Sequence, residues 1–287
     1  MTAQVPSMLV RLAERRATGA LLRDTGVLYL ADGAVVHAES PAAPGIDVLL
    51  TAGGRLRPEL WREAVDEAGA ACRIAGYLLD HRRMSGGELE IRHLSALYDA
   101  AYFALAPDGG PSRFRHGAVH WFGRVRPVGV ADVVRETRRR RRYLDDLWPH
   151  SHLDAAPPVR VRAAPLPPVT RRQQDVLDLA DGRRTPGQIA TRLGRPAFHT
   201  LVDIRRLAAA GHLETGVRTS DRSTATAPGT RTATAASAGS GPAATTSATA
   251  RTAPGASLAP VLPPDLTGGA PDVAVLLRVR DALEARL

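Results

Sequence analysis

Lysine and asparagine are absent from this chain of 287 residues, and cysteine occurs once, at Cys72. A single cysteine excludes an intramolecular disulfide, a zinc ribbon and a cysteine-ligated iron–sulfur cluster. Without lysine there is no Gly-Lys-Ser phosphate loop, and neither a Gly-x-Gly-x-x-Gly nor a Gly-x-Ser-x-Gly motif occurs. We therefore predict a protein that is not an enzyme and that needs no cofactor.

Long apolar runs are also missing. No run approaches the roughly 18 residues that a membrane-spanning helix needs. The first residues show neither the basic segment nor the apolar core of a signal peptide. The hydrophobic fraction of 44% is normal for a folded protein. We expect a cytoplasmic protein with no membrane span.

Positive charge is in excess, and all of it comes from arginine. The chain has 38 Lys+Arg and 29 Asp+Glu, which gives a formal net charge of +9. A basic balance is a feature of nucleic-acid-binding proteins. Lysine and asparagine have AT-rich codons, so their absence, with abundant alanine, arginine, glycine and proline, indicates GC-rich coding. Part of the charge therefore reflects codon bias, and DNA is a permitted partner rather than a demonstrated one.

Composition and periodicity divide the chain into five segments and predict an α+β fold. Residues 1–150 form a mixed domain of short β-hairpins and helices, followed by a proline-rich connector over 151–169 and a helical module over 170–215. A linker of Ala, Thr, Ser, Gly and Pro over 216–270 then leads to an amphipathic helix over 271–287. The linker cannot bury enough apolar surface to fold, so we expect it to be disordered.

The first domain opens with a hairpin pattern. Residues 18–22, 26–30 and 34–39 are strand-like, with an Asp-Gly turn at 32–33. The stretch TGALLRDTGVLYLADGAVVHAES at 18–40 resembles the PATAN-type domain of bacterial regulatory proteins, as do GYLLDHRRMSGGEL at 76–89 and GPSRFRHGAV at 110–119. This resemblance implies a non-enzymatic regulatory domain with links to small-GTPase and roadblock-type signalling.

The module at 170–215 has three short helical patterns, at 172–180, 187–193 and 196–210, followed by a short strand. This layout is typical of a winged helix-turn-helix. The stretch VTRRQQDVLDLADGRRTPGQIATRLGRPAFHTLVDIRRLAAAGHLE at 169–214 is similar to MarR-like winged-helix modules of bacterial transcriptional regulators. The resemblance implies a regulator that binds DNA through its third helix.

Candidate DNA contacts follow from the outward positions of that module, because arginine suits both guanine edges and phosphates. They are Arg183, Arg184, Arg192, Arg195, His199, Arg205 and Arg206. A homodimer is expected if DNA is bound, because symmetric half-sites raise discrimination.

A second hypothesis is a protein–protein adaptor in a small-GTPase or roadblock-type system, with no DNA contact. Phe198 and Val202 lie four residues apart, so they form an apolar stripe on the third helix. The stripe can pack against the first domain, a second copy or a partner. Leu276, Val279 and Leu283 lie on the apolar face of the C-terminal helix, which we expect to dock on a protein.

Two further clusters have simpler interpretations. The arginine run at 138–142 can attract a polyanion, but acidic neighbours favour a solvated helix face that pairs with itself. His150, His152 and Asp154 are possible metal ligands, and His116 and His120 fit one face of a strand predicted at 113–122. Neither set has the spacing of a known zinc motif, so we predict no metal. His37 is predicted to be a packed, half-buried imidazole.

Overall fold

A computed structural model describes residues 4–52, 54–162 and 166–214 of the protein, with side chains from Met8 onward. The predicted linker and the predicted C-terminal helix, with Leu276, Val279 and Leu283, lie outside the described residues. Within the described part, no helix is both long and apolar enough to cross a membrane.

The described chain is a mixed α+β fold, as predicted. The helices are α1 (Gln4–Glu14), α2 (Ile46–Thr51), α3 (Pro58–Ala68), α4 (Ile74–Asp80), α5 (Gly86–Ala104), α6 (Val130–Leu147), α7 (Arg171–Leu179), α8 (Pro186–Leu193) and α9 (Ala197–Ala209). The strands are β1 (Gly19–Arg23), β2 (Gly26–Ala31), β3 (Ala34–Glu39), β4 (Arg113–His116), β5 (Val159–Arg160) and β6 (Leu213–Glu214), with a 3₁₀ turn at Ser151–Asp154.

The N-terminal sheet has the order β3-β2-β1-β4 and is antiparallel throughout. The predicted hairpin turn between β2 and β3 is present, with φ of +51° at Asp32 and +83° at Gly33. Both values are those of a tight hairpin turn, in which glycine relieves the strain of a positive φ. Leu21, Leu28 and Val35 on the buried side of the sheet pack with Leu97 of α5 in the first core cluster.

A second core lies beside the sheet, where α2, α3 and α4 pack around Trp61 and Phe122. Phe122 reaches this core because the strand predicted over 113–122 ends early. β4 stops at His116, and Gly117 has a φ of +70°, which turns the chain. His116 and His120 therefore do not share a strand face, and His120 returns toward β2 and β3 from a loop.

The three predicted helices of the C-terminal module are present as α7, α8 and α9. Thr170 and Thr185 begin α7 and α8 with reciprocal capping hydrogen bonds to Gln173 and Gln188, which satisfy free N–H groups of the first turn. Gly194 ends α8 in the left-handed conformation, with φ +60°. β5 pairs with β6, and Val159 also forms a bridge to Asp181.

Candidate functional site

Helix α9, the predicted DNA-reading helix, is a central helix of the described structure. One side packs with α7 and α8 through Ile204, Leu207 and Ala208. The other side packs against α5 and α6 of the N-terminal part. The exposed positions along and just after α9 are His199, Arg206, Ala209, Ala210 and Gly211.

The predicted outward position of Arg205 is wrong. Its side chain is 1% exposed, and its guanidinium donates Nε and Nη2 to Oδ1 of Asp154 at 2.9 and 2.7 Å. A further N–H of Arg205 donates to the carbonyl oxygen of Trp148. The second oxygen of Asp154 accepts the hydroxyl of Tyr102 at 2.7 Å. Arg205 is therefore a buried structural ion-pair partner that joins α9 to α5 and the 3₁₀ turn.

The apolar stripe of Phe198 and Val202 is not a free partner surface in this arrangement. Val202 is buried in a cluster with Leu144 and Tyr102, and half-buried Phe198 packs against the same cluster. Of the surfaces that the sequence left open for this stripe, the first domain is the one it contacts. The stripe holds the helical module against α5 and α6.

A buried charge pair reinforces that contact. Arg140 of α6 donates to Oδ1 of Asp99 at 2.6 Å, and the backbone N–H of Phe198 donates to Oδ2 at 3.2 Å. The Arg140 guanidinium carbon also lies 4.5 Å from the centre of the Phe198 ring. Burial is the largest influence on Asp99 and raises its pKa, while Arg140 opposes the rise. Asp99 thus connects three helices at one point.

The other predicted DNA-binding residues are exposed or form ion pairs with nearby carboxylates. Arg183, Arg192, His199 and Arg206 are exposed. Arg184 is exposed but pairs with Asp181 at 2.6 Å. Arg195 is half-buried and pairs with Asp175.

The arginine run on α6 has three separate roles. Arg139 and Arg140 bond to Glu136 one turn earlier, so the predicted self-pairing holds for these two. Arg141 donates to the carbonyl oxygens of Tyr102 and Leu105 at 3.1 and 2.8 Å, which fixes α6 to the end of α5. Arg138 and Arg142 are exposed and make no ion pair within the part of the chain that the structure describes.

A second candidate site lies on the N-terminal sheet, where three histidines meet. The rings of His37 and His120 are stacked with centroids 3.6 Å apart, and His93 lies 5.3 Å from His37. All three rings are buried, so the prediction of a half-buried His37 is corrected. Burial lowers the pKa of His37 well below its ordinary value, and it lowers the pKa of His93 to about 4.

Glu39 completes this cluster. Its Oε1 accepts Nε2–H of His120 at 2.8 Å, and its Oε2 accepts the hydroxyl of Tyr29 at 3.1 Å. Burial opposes ionisation of this carboxyl, but hydrogen bonds from His120, Tyr29 and Trp121 outweigh it and lower the pKa of Glu39. The Glu39 carboxylate also holds the pKa of Tyr29 above its ordinary value, an effect second to burial.

A cleft of about 330 Å³ opens beside the cluster and is lined by His37, Glu39 and Trp121, among others. One ring nitrogen each of His37 and His120 and one oxygen of Glu39 lie within 4.8 Å of one another, a separation that allows them to share a metal ion. Sequence reasoning missed this grouping. His37 and Glu39 are two residues apart on one strand, so they share a face, but nothing in the sequence placed His93 and His120 beside them.

His150, His152 and Asp154, the possible metal ligands named from the sequence, do not belong to this cluster. His150 and His152 have ring centroids 5.8 Å apart. Asp154 is already bonded through both oxygens, to Arg205 and to Tyr102. Asp154 therefore belongs to the contact of α9 with α5, α6 and the 3₁₀ turn, which we call the joint.

Comparison with models of protein families, with curated proteins and with solved structures finds no match to this chain.

Proposed function

We propose that this chain is a non-enzymatic regulatory protein of the adaptor type, which acts through protein partners. The observation that carries the proposal is the position of α9. The surface that a winged helix would place in the major groove is instead the joint between the two parts of the molecule.

The chemistry of that surface supports the same conclusion. Base reading needs exposed polar side chains that can bond to base edges. The joint carries Phe198 and Val202, and Arg205, its cation, is bonded to Asp154. Opening the joint would expose apolar surface and separate the N–H of Phe198 from Asp99. It would also break either the buried Arg205–Asp154 pair or the Tyr102–Asp154 hydrogen bond.

The class of partner comes from the resemblance of residues 18–40, 76–89 and 110–119 to PATAN-type domains. That resemblance favours small-GTPase and roadblock-type signalling proteins. The predicted docking helix at 271–287, tethered by a long linker, would suit such an assembly, because a tether raises the effective concentration of a docking peptide.

A second candidate is a transcriptional regulator that contacts DNA through phosphates. One observation favours it: Arg138 and Arg142 lie one turn apart on the exposed side of α6, and Arg206 of α9 donates to the hydroxyl of neighbouring Tyr143 at 2.9 Å. We call Arg138, Arg142 and Arg206 the basic face. Guanidinium groups without carboxylate partners are available for phosphates.

The deciding experiment uses the full chain in two binding assays. Fluorescence anisotropy follows DNA binding from about 50 to 200 mM salt, a range over which a protein that neutralises six or more phosphates loses roughly a thousandfold in affinity. Biolayer interferometry follows binding to a purified roadblock-type protein and to its small GTPase.

The adaptor proposal predicts saturable binding to one of these two proteins and no sequence preference for DNA. Salt-sensitive DNA binding that is lost in the triple variant Arg138→Ala, Arg142→Ala, Arg206→Ala would establish the second candidate. Sequence-selective DNA binding that is lost in Phe198→Ala would overturn the adaptor proposal, because it would require α9 to leave the joint and read bases.

A further inference from the structure

The cluster of His37, Glu39 and His120 has the composition and spacing of a small metal site. Two imidazoles and one carboxylate are ligands that Zn²⁺ and neighbouring divalent transition metals accept. Their candidate ligand atoms lie within 4.8 Å of one another. Three protein ligands would leave one position of a tetrahedral ion open.

The scaffold of the cluster is rigid. His37 and Glu39 are on β3, which is paired with β2 along its length, and Tyr29 of β2 bonds to the Glu39 carboxylate. The loop that carries His120 is held by Phe122, which is fully buried in the second core. A site on paired strands keeps its ligands close to their bound positions before the ion arrives.

Two features point to a ligand rather than to a closed hydrogen-bond network. Nδ1 of His37 is buried and has no hydrogen-bond partner, although buried polar atoms are nearly always paired. The cleft of about 330 Å³ is lined by His37 and Glu39, so an ion has a path to both.

We propose that His37, Glu39 and His120 bind one divalent transition-metal ion, with Zn²⁺ as the first choice, and that the open coordination position faces the cleft. The site is independent of the proposed adaptor function, because its ligands lie in the N-terminal part and not in the joint around α9.

Proton balance follows from the hydrogen bonds of His120. Its Nδ1 accepts the backbone N–H of Phe122 at 3.2 Å, so the proton of the neutral ring is on Nε2 and is donated to Glu39. An ion that takes Nε2 must displace that proton. The neutral ring has no other proton, so the displaced proton moves to Nδ1, which gives up the long bond to Phe122, and His120 releases no net proton to solvent.

This requirement sets the expected strength. The ion competes with the hydrogen bonds of His120 to Glu39 and to Phe122, so we expect micromolar binding rather than the tighter binding of a closed four-ligand structural site.

The test is a titration of the full, tag-free chain after treatment with a chelator. Co²⁺ is added first and followed by its visible ligand-field absorption, and Zn²⁺ is then added to displace it. Calorimetry in two buffers of different ionisation enthalpy counts the protons released by Zn²⁺. We expect one ion per chain, tetrahedral Co²⁺ absorption and no net proton release from neutral imidazoles and an ionised carboxylate.

Variants separate this site from adventitious binding. Glu39→Gln and His120→Gln should each weaken Zn²⁺ binding by about tenfold or more. His93→Gln is the matched control, since His93 lies in the same buried group of rings but outside the proposed ligand set. The double variant His150→Gln, His152→Gln controls for the surface histidine pair. Both controls should bind Zn²⁺ as the unmodified chain does.

The proposal is overturned if the unmodified chain binds no Zn²⁺ at micromolar concentration. It is also overturned if the surface double variant removes binding, or if both ligand variants keep it. If a ligand variant does not fold, the unmodified chain still decides the question, because the stoichiometry of one ion per chain and tetrahedral Co²⁺ absorption require no substitution.

Discussion

At the scale of single residues, arginines that are equivalent in the sequence have different roles in the fold. Arg205 and Arg206 are neighbours on α9, yet Arg205 is buried against Asp154 and Arg206 is exposed. A buried guanidinium must be paired, because desolvation of an isolated charge costs more than packing returns. The pair therefore maintains the joint, and adjacent residues on one helix turn give a matched comparison.

We predict that Arg205→Ala lowers the free energy of unfolding by about 3–5 kcal/mol, because it leaves the Asp154 carboxylate without its cation. Arg206→Ala should change it by less than about 0.5 kcal/mol, as expected for an exposed side chain. Urea unfolding of both variants, followed by circular dichroism, gives the comparison. Equal stabilities would contradict the assignment of Arg205 to the joint.

Protonation of the buried histidines is also a residue-scale property. His93 donates Nε2–H to the carbonyl oxygen of Val36 at 2.9 Å, and its pKa in the folded protein is about 4. In the unfolded chain a histidine has a pKa near 6.5. Both states are neutral above that value, and below it the unfolded chain binds a proton that the folded protein does not.

We predict that stability falls as the pH is lowered from 7.5 to 5, with His93 contributing a loss of about 2 kcal/mol at pH 5. The variant His93→Gln should lose that share of the slope. His116→Gln, a change at an exposed histidine, should keep it. Urea midpoints at several pH values supply the measurement, and an unchanged slope in His93→Gln would show that another group is responsible.

At the scale of elements, helix α8 depends on glycine where it meets the N-terminal part. Gly187, in its first turn, is buried, and a Cβ there would lie 2.3 Å from the carbonyl oxygen of Ala42. The neighbouring backbone cannot move away as a flexible side chain would. The absence of a side chain at Gly187 therefore allows α8 to approach the loop between β3 and α2.

We predict that Gly187→Ala destabilises the protein by about 1–3 kcal/mol, the usual cost of overpacking a closed contact. Gly76→Ala is the matched control, because Gly76 is also in a helix but has open space around its Cβ position. That change should stabilise by about 0.5 kcal/mol through helix propensity. Thermal unfolding of the two variants measures the difference, and a neutral Gly187→Ala would contradict the close approach.

At the scale of the whole molecule, the described residues belong to one compact unit despite the proline-rich segment at 151–169. Asp99 of α5 holds Arg140 of α6 and the first turn of α9 together. Asp154 does the same for α5, α9 and the 3₁₀ turn. Since these contacts link the N-terminal part to the helical module, we expect the backbone amides of both parts to lose protection from hydrogen exchange together.

We predict that Asp99→Ala costs about 3 kcal/mol, because Arg140 and the N–H of Phe198 lose a buried acceptor. Hydrogen exchange measured by mass spectrometry should then increase in β1–β3 and in α9 by similar factors. Glu59→Ala, at an exposed position of α3, is the control. Faster exchange in α9 alone would mean that the helical module opens independently.

Local patterns in the sequence predicted much of the fold. The hairpin at 18–39 follows from strand alternation and an Asp-Gly turn, and α8 follows from a Thr-Pro start and a glycine end, because these signals act within a few residues. The early end of β4 was missed, since the turn at Gly117 competes with an apolar run that favours a strand. The pairing of Arg139 and Arg140 with Glu136 was predictable, because residues three and four apart on a helix are neighbours.

The amino-acid sequence by itself determined the α+β class, most of the helices and strands, and the lack of the enzyme motifs considered. Only the tertiary structure decided which face of α9 is covered, why Arg205 differs from Arg206, and that His37, His93 and His120 meet beside Glu39. Helical periodicity specifies that a helix has an apolar side, but α9 has two, and the partner for each depends on elements far away in the chain. Burial and charge pairing over such separations arise from packing, which no local pattern encodes.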